Sequence, residues 1–167
     1  MKNFILLILC FICTQCVFLE DDDVLPKAMP FTGNQLKTNG YYYQSSYDYM
    51  VRPYFLYDNG ILISIGGGEK TFEELDDYIR KNYVRDSWYK RNKYVWGVFF
   101  VYNNRISINR LSEDYPHRGY VLEGIILNDT TFHLTKFYSE NREQELNEIY
   151  CFREFYPKPD SINKYIK

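Results

Sequence analysis

One stretch of alternating apolar residues constrains this chain more than any other: KYVWGVFFVYNNRISINRL, at residues 93–111. The Asn-Asn pair at 103–104 suits a tight turn, because Asn tolerates the positive φ of the turns that join antiparallel strands. Successive side chains of a strand point to opposite faces. A two-residue turn therefore gives one face that is wholly apolar, formed by Phe99, Val101, Ile106 and Ile108. The other face is mixed, which predicts a sheet that covers a core on one side.

A second hairpin is predicted in residues 54–65. Asn59-Gly60 is the strongest short hairpin signal in the chain, and a turn there sets Tyr57 opposite Leu62. Aromatic residues make up 19% of the sequence, and they favour strands. Composition and turn placement thus agree on a β-rich fold.

A single substantial helix is predicted at residues 72–82. Thr71 and Glu74 have the spacing of a capping box, in which each side chain satisfies a backbone N–H at the start of the helix. One face of the helix is apolar, with Phe72, Leu75 and Ile79. We expect this face to pack on the sheet or to plug one end of a barrel.

Helices do not alternate with strands along the chain, which argues against a parallel α/β sheet. Residues 138–147 are predicted as a charged loop, and residues 148–156 as the last strand. The fold class is mainly β: an antiparallel up-and-down barrel, or a strongly twisted meander, of about eight strands with one inserted helix. The strand order over residues 35–156 resembles the lipocalin-like barrels of bacterial lipoproteins of unknown function. We expect a single β-rich domain at residues 35–167.

The N-terminus predicts export. Lys2 precedes nine apolar residues at 4–12, a pattern typical of a secretory signal peptide and too short for the ~20 residues of a membrane-spanning helix. The sequence Cys13-Thr14-Gln15-Cys16 resembles the lipobox of bacterial lipoproteins, which implies a signal peptide at residues 1–15 and a lipid on Cys16. The alternative is ordinary signal cleavage with Cys16 merely nearby.

Residues 16–34 are predicted to form an acidic tether. Its run Glu20-Asp21-Asp22-Asp23 resembles the surface-export signal of some Gram-negative lipoproteins, although an acidic run by itself is usually a solvated linker. The resemblance implies a lipid-anchored protein of the cell envelope, at the outer membrane and exposed at the surface. The membrane, reached through the N-terminal lipid, is then one partner.

Residues able to perform catalysis are scarce. The chain has two His residues, His117 and His133, and lacks nucleophile-elbow and zinc-protease motifs. We therefore expect no catalytic residues, no metal site and no cofactor. The formal net charge of −2 gives no basis for nucleic-acid binding. Cys151, the one thiol in the predicted folded domain, is predicted to be a small buried hydrophobe in a strand.

Glu123 is the candidate ligand-binding residue. A third hairpin is predicted in residues 119–137, and a turn at Asn128-Asp129 sets Glu123 opposite Leu134, on an apolar face. A carboxylate on such a face needs a partner or a raised pKa, so it could anchor a polar group of a ligand. Two alternatives are an exposed face at that height and a diagonal pair with Lys136.

These observations leave two main hypotheses. The first is a non-enzymatic, lipid-anchored envelope protein that binds a small apolar or amphipathic ligand in its barrel, which predicts a cavity of roughly a few hundred Å3. The second is a structural or interaction subunit of an outer-membrane protein complex, with a filled core and an exposed Tyr-rich patch. A hydrolase is disfavoured by the missing His–nucleophile pair.

Overall fold

A computed structural model describes residues 25–44, 50–66, 68–69, 71–85, 89–114 and 118–166. In these residues the chain forms one α-helix and nine strands. The strands are β1 (Gly40–Gln44), β2 (Met50–Leu56), β3 (Ile61–Ser64), β4 (Gly68–Glu69), β5 (Trp96–Tyr102), β6 (Arg105–Leu111), β7 (Gly119–Asn128), β8 (Thr131–Ser139) and β9 (Arg142–Glu154). Helix α1 (Phe72–Asn82) and two 3₁₀ turns, Tyr89–Arg91 and Lys93–Val95, lie between β4 and β5.

Eight of these strands close into an antiparallel barrel. The order is β1-β2-β3-β5-β6-β7-β8-β9, and β9 pairs with β1 to complete the ring. The two-residue strand β4 adds to the start of β2. The structure therefore confirms a mainly-β, lipocalin-like barrel with one inserted helix, and the closed barrel is realised instead of the open meander.

The central hairpin has the predicted register. Phe99 lies opposite Ile108, and Val101 lies opposite Ile106. Asn103 adopts a φ of 56° at the turn, as a tight hairpin turn requires. The predicted apolar face points into the barrel, where Phe99 and both Ile side chains are buried.

The register of the second hairpin differs from the prediction by one residue. Leu56, not Tyr57, lies opposite Leu62, because the turn is a three-residue loop. The Gly60 N–H donates to the Tyr57 carbonyl at 2.8 Å, and Gly60 itself takes a φ of 79°. Gly60 therefore supplies the left-handed residue that ends a loop of this length.

The predicted register of the third hairpin was also wrong by one residue. Asn128 pairs with Thr131, so the turn residues are 129–130. The Asn128 side chain accepts hydrogen bonds from the Thr130 N–H at 2.9 Å and from its hydroxyl at 2.8 Å. This cap places Asn128 at the first position of the turn. Bulges between β7 and β8 then set Glu123 opposite Lys136.

The loop predicted at residues 138–147 was wrong. Strand β8 continues to Ser139, and β9 begins at Arg142 after a tight turn. The inward-facing side chains of β9 include Gln144 and Glu148, which line a cavity at the open end of the barrel. Polar residues thus occupy both faces of the strand, and the apolar period that identifies a strand is missing.

Two apolar clusters hold the molecule together, one on each side of the wall formed by β1, β2 and β3. The inner cluster fills the lower barrel with the side chains of Tyr42, Tyr54, Leu56, Leu62, Phe99, Ile106, Ile108, Leu122, Phe132, Leu134 and Tyr150, joined by Leu36. The outer cluster packs Leu75 and Ile79 of α1 against Phe55 and Ile63 of the wall. The helix therefore covers the outside of the barrel, and its capping box at Thr71 and Glu74 is present as predicted.

The N-terminal segment 25–39 closes one end of the barrel without regular secondary structure. The Phe31 N–H donates to the Asp58 carbonyl at 2.7 Å, and its ring lies 5.6 Å from the ring of Phe99. At the β7–β8 turn, the Lys37 N–H donates to the Asp129 carbonyl at 2.9 Å. These contacts seal the end formed by the hairpin turns and leave the opposite end open.

Candidate functional site

The open end of the barrel, which we call the mouth, contains a cavity of about 730 Å3. It lies where β6 and β8 end and where β2, β7 and β9 begin. Apolar side chains of Leu122, Phe137 and Leu146 form part of its wall. The remainder is polar and charged, so the mouth offers both an apolar surface and hydrogen-bonding groups.

Stacked aromatic rings form the floor of the cavity. The rings of Tyr54 and Tyr150 lie 5.1 Å apart at 23°, and the ring of Phe132 lies 5.0 Å from that of Tyr150 at 9°. Below them, the ring of Tyr42 lies 5.0 Å from that of Phe132. This column fills the lower barrel and restricts free volume to the mouth.

Arg110 extends from β6 into the mouth. Ile106 and Ile108 face inward on the same strand, so the alternation of β6 directs the side chain of Arg110 inward as well. Space for its stem comes from Gly97 on β5, the cross-strand partner. A Cβ on Gly97 would lie 2.8 Å from the Arg110 Cγ, closer than packed atoms allow.

The guanidinium of Arg110 is held by aromatic rings and one carbonyl. Its Cζ lies 5.8 Å from the ring centroid of Tyr54 and 5.7 Å from that of Tyr120, within the range of cation–π attraction. Nη2 donates to the Tyr94 carbonyl at 2.9 Å. Nε is buried without an acceptor in the described part of the structure.

The ionisation of this group follows from its surroundings. Burial disfavours the Arg110 cation, but Tyr54 and Tyr120 more than offset that effect, so the pKa of Arg110 is raised and the charge is kept. Burial raises the pKa of Tyr120, and the charge of Arg110 opposes the rise only in part. Burial also raises the pKa of Tyr150. The mouth therefore holds a permanent cation beside the neutral phenols of Tyr120 and Tyr150.

Charged residues surround the rim. Arg118 forms an ion pair with Glu140, and the guanidinium of Arg142 lies 5.7 Å from the ring of Phe137. Arg52 begins the rim on β2 with a φ of 53°, a left-handed conformation that is uncommon for a residue with a Cβ. Burial raises the pKa of Tyr150 on the cavity floor, and the positive charge of Arg52 opposes that rise in part.

Glu123 lies outside the barrel. It is exposed on the outer wall opposite Lys136, so the apolar face assigned to it was wrong. The reason is the shifted turn at Asn128 and the bulge beside Gly124. The observation that had suggested a ligand-binding role for Glu123 is thereby removed, and the exposed alternative is the one observed.

The other residues singled out from the sequence lie apart from the mouth. Cys16 and His117 fall outside the described residues. His133 lies on the outer wall, and its Nε2 is 2.9 Å from the Asn147 amide oxygen. Cys151 lies in β9 and is half-buried. Within the described residues, no group of three or more His, Cys, Asp or Glu side chains is arranged to hold a metal ion.

The residues that define the mouth were missed from the sequence, although a signal existed. Arg110 follows Ile106 and Ile108 at the spacing of two residues that marks one face of a strand. A cation at the end of an otherwise apolar inner face was therefore visible in the sequence. Arg52 had no such signal, because its conformation depends on the closure of the barrel.

Comparisons with models of protein families, with curated proteins and with solved structures gave no match. No helix in the described part of the chain is long and apolar enough to cross a membrane. The class that the described residues define is a structural one: a closed antiparallel barrel of eight strands with a helix on its outer wall.

Proposed function

We propose that this protein is a non-enzymatic, lipid-anchored protein of the cell envelope that binds a small amphipathic molecule in the mouth of its barrel. The cavity of about 730 Å3 supports this proposal, because ligand sites occupy about 300–1,000 Å3. Inside the barrel, the aromatic column below the mouth leaves the mouth as the place where a ligand fits.

The lining favours an amphipathic ligand over a wholly apolar one. Leu122, Phe137 and Leu146 offer apolar contact, while Arg110 and the neighbouring phenols offer donors. An apolar ligand would displace water from these donors without replacing its hydrogen bonds, which costs about 1–3 kcal/mol for each group. A molecule with one polar end and one apolar end avoids that cost.

Native mass spectrometry of residues 24–167, purified from a bacterial host, tests the ligand. We expect an additional mass that is lost on mild activation. Leu122→Trp should abolish it by filling the cavity, whereas Leu127→Trp should not, because Leu127 lies on the same strand with half of its surface exposed. A bare polypeptide mass, with no uptake of added amphipathic molecules, would contradict the proposal.

The anchor has a separate test. Cys16→Ala should move the full chain from the membrane fraction to the soluble fraction, since a lipid on Cys16 would be the attachment. Cys10→Ala is the matched control, because Cys10 lies before the lipobox-like motif, and it should leave the distribution unchanged. Membrane association of the Cys16→Ala protein at the level of the natural sequence would refute the lipid anchor.

A second candidate, an interaction subunit of an outer-membrane complex, is favoured by one feature of the outer wall. Ile125 and Ile149 flank His133 in one cross-strand row, and each is 38% exposed. Tyr102 and Leu127 extend this apolar surface. A photo-crosslinking residue at position 125 should then capture an envelope protein in cells, while one at Asp77 on the exposed face of α1 should not.

A further inference from the structure

We propose that the ligand of the mouth carries an oxyanion, a carboxylate or a phosphate, and that Arg110 and Arg52 bind this group. The inference rests on the proposed function, since it names the chemistry of the ligand that the mouth would take. It identifies the cavity as a site for an anionic head group with an apolar chain.

The first observation is that no carboxylate of the described residues neutralises the charge of Arg110. Its surroundings are the rings of Tyr54 and Tyr120 and the Tyr94 carbonyl. No carboxylate of the described residues forms an ion pair with it, and Nε lacks an acceptor. Arg110 is half-buried, and a cation partly removed from water normally has an anionic partner, because its desolvation is costly. A ligand oxyanion would supply that partner, and a guanidinium matches its two oxygens.

The second observation is the backbone of Arg52. A left-handed conformation is strained for a residue with a Cβ, and such outliers concentrate at functional sites. Arg52 lines the cavity, and its charge acts on Tyr120 and Tyr150. It forms no ion pair with the described carboxylates. Arg52 thus adds a second cation to the lining of the cavity.

The phenols complete the site as neutral donors. Burial raises the pKa of Tyr120 and of Tyr150, so both stay protonated at neutral pH. A protonated phenol donates one hydrogen bond, and donation to an anion is about twice as strong as donation to a neutral acceptor. Because the Tyr150 hydroxyl already donates to Glu148 at 3.5 Å, Tyr120 is the neutral phenol that can donate to an anion beside Arg110.

Among the described residues, no carboxylate of the mouth forms an ion pair with Arg52 or Arg110. Glu140 is paired with Arg118. Glu113 lies 3.5 Å from the side-chain amide nitrogen of Asn92, and Glu148 lies 3.5 Å from the hydroxyl of Tyr150. Glu113 and Glu148 keep their negative charge in these contacts, and Asp114 also lines the mouth. None of the three forms an ion pair with Arg52 or Arg110 among the described residues, so both guanidinium groups are available to an incoming oxyanion.

Isothermal titration calorimetry with matched probes tests the proposal on the full chain carrying Cys16→Ala. The probes are decanoate, decyl phosphate and decanol, which share an apolar chain, and inorganic phosphate, which lacks one. We expect decanoate or decyl phosphate to bind about 10–100-fold more tightly than decanol, the ratio given by one or two hydrogen bonds to a charged group. The stronger of the two distinguishes a carboxylate from a phosphate ligand, and phosphate alone should bind weakly.

Arg110→Met should remove this preference and leave the affinity for decanol unchanged. Arg105→Met is the matched control, because Arg105 lies on the same strand but is exposed on the outer wall. If Arg110→Met does not fold, Arg52→Gln at the rim provides the second variant, with an expected loss of at least threefold for the anionic probes. Equal affinity for decanol and the anions would overturn the oxyanion site and leave the proposed function standing. Failure of all three chain-bearing probes to bind would overturn both.

Discussion

Replacing Tyr41 with phenylalanine removes a single hydroxyl from the contact between α1 and the barrel wall. Tyr41 is fully buried, and its hydroxyl donates to Asp76 Oδ1 at 2.8 Å. The other oxygen of Asp76 accepts from Arg153 Nη2 at 2.9 Å. Burial and the Asp76 carboxylate raise the pKa of Tyr41, so the phenol remains a donor throughout the range in which the protein is folded.

The cost of Tyr41→Phe follows from this geometry. A hydrogen bond to a charged group contributes about 1.5–3 kcal/mol to stability, and the side chain of Asp76 is only 12% exposed, so water replaces the lost donor poorly. We expect the free energy of unfolding to fall by about 2 kcal/mol. In a chain of this size that corresponds to a decrease in Tm of about 4–8 °C.

Urea unfolding followed by far-UV circular dichroism measures this loss. The double-mutant cycle with Asp76→Ala isolates the pair and should give a coupling energy above about 1 kcal/mol. Tyr102→Phe is the control, because Tyr102 is 77% exposed, and it should change stability by less than about 0.5 kcal/mol. Additive effects of the two substitutions would show that the hydrogen bond between Tyr41 and Asp76 does not stabilise the contact between α1 and the barrel wall.

Two further predictions concern the closed end of the barrel, where Gly60 lies in the turn between β2 and β3 and Lys158 donates to the Leu56 carbonyl at 2.6 Å. Gly60→Val should destabilise the protein by at least about 2 kcal/mol, since Gly60 has a φ of 79° and a Cβ there would lie 2.0 Å from the Met29 carbonyl oxygen. Gly66→Val is the control, because a Cβ at Gly66 would have no atom within 4 Å. Equal melting temperatures of the two variants would contradict the strained turn at Gly60. Burial lowers the pKa of Lys158 from 10.5 to about 8, so the unfolded chain binds more protons between these values and stability rises with pH across that window. Lys158→Met should abolish this rise of up to about 3 kcal/mol, and parallel pH profiles of stability in the two proteins would count against it.

Local signals predicted the fold class because the hairpins and the helix obey local rules. The turn at Asn103 and the capping box at Thr71 need only neighbouring residues, and both formed as expected. The hairpins at Gly60 and Asn128 were each displaced by one residue, because loop length depends on side-chain caps that the residue pair alone does not specify. A displacement of one residue reverses the faces of a strand, which is how Glu123 came to be placed inside the barrel.

The mouth was not predictable by the same reasoning, for a physical reason. Strand prediction assumes that the inward face is apolar, and this holds where the aromatic column fills the barrel. At the open end the inner face meets water, so Gln144 and Glu148 face inward and the alternation of β9 disappears. A barrel that binds a polar group at its mouth must break the apolar pattern there. Interruptions such as Arg110, at the end of a strand whose inner face is otherwise apolar, therefore mark the candidate binding site and not an error in the strand assignment.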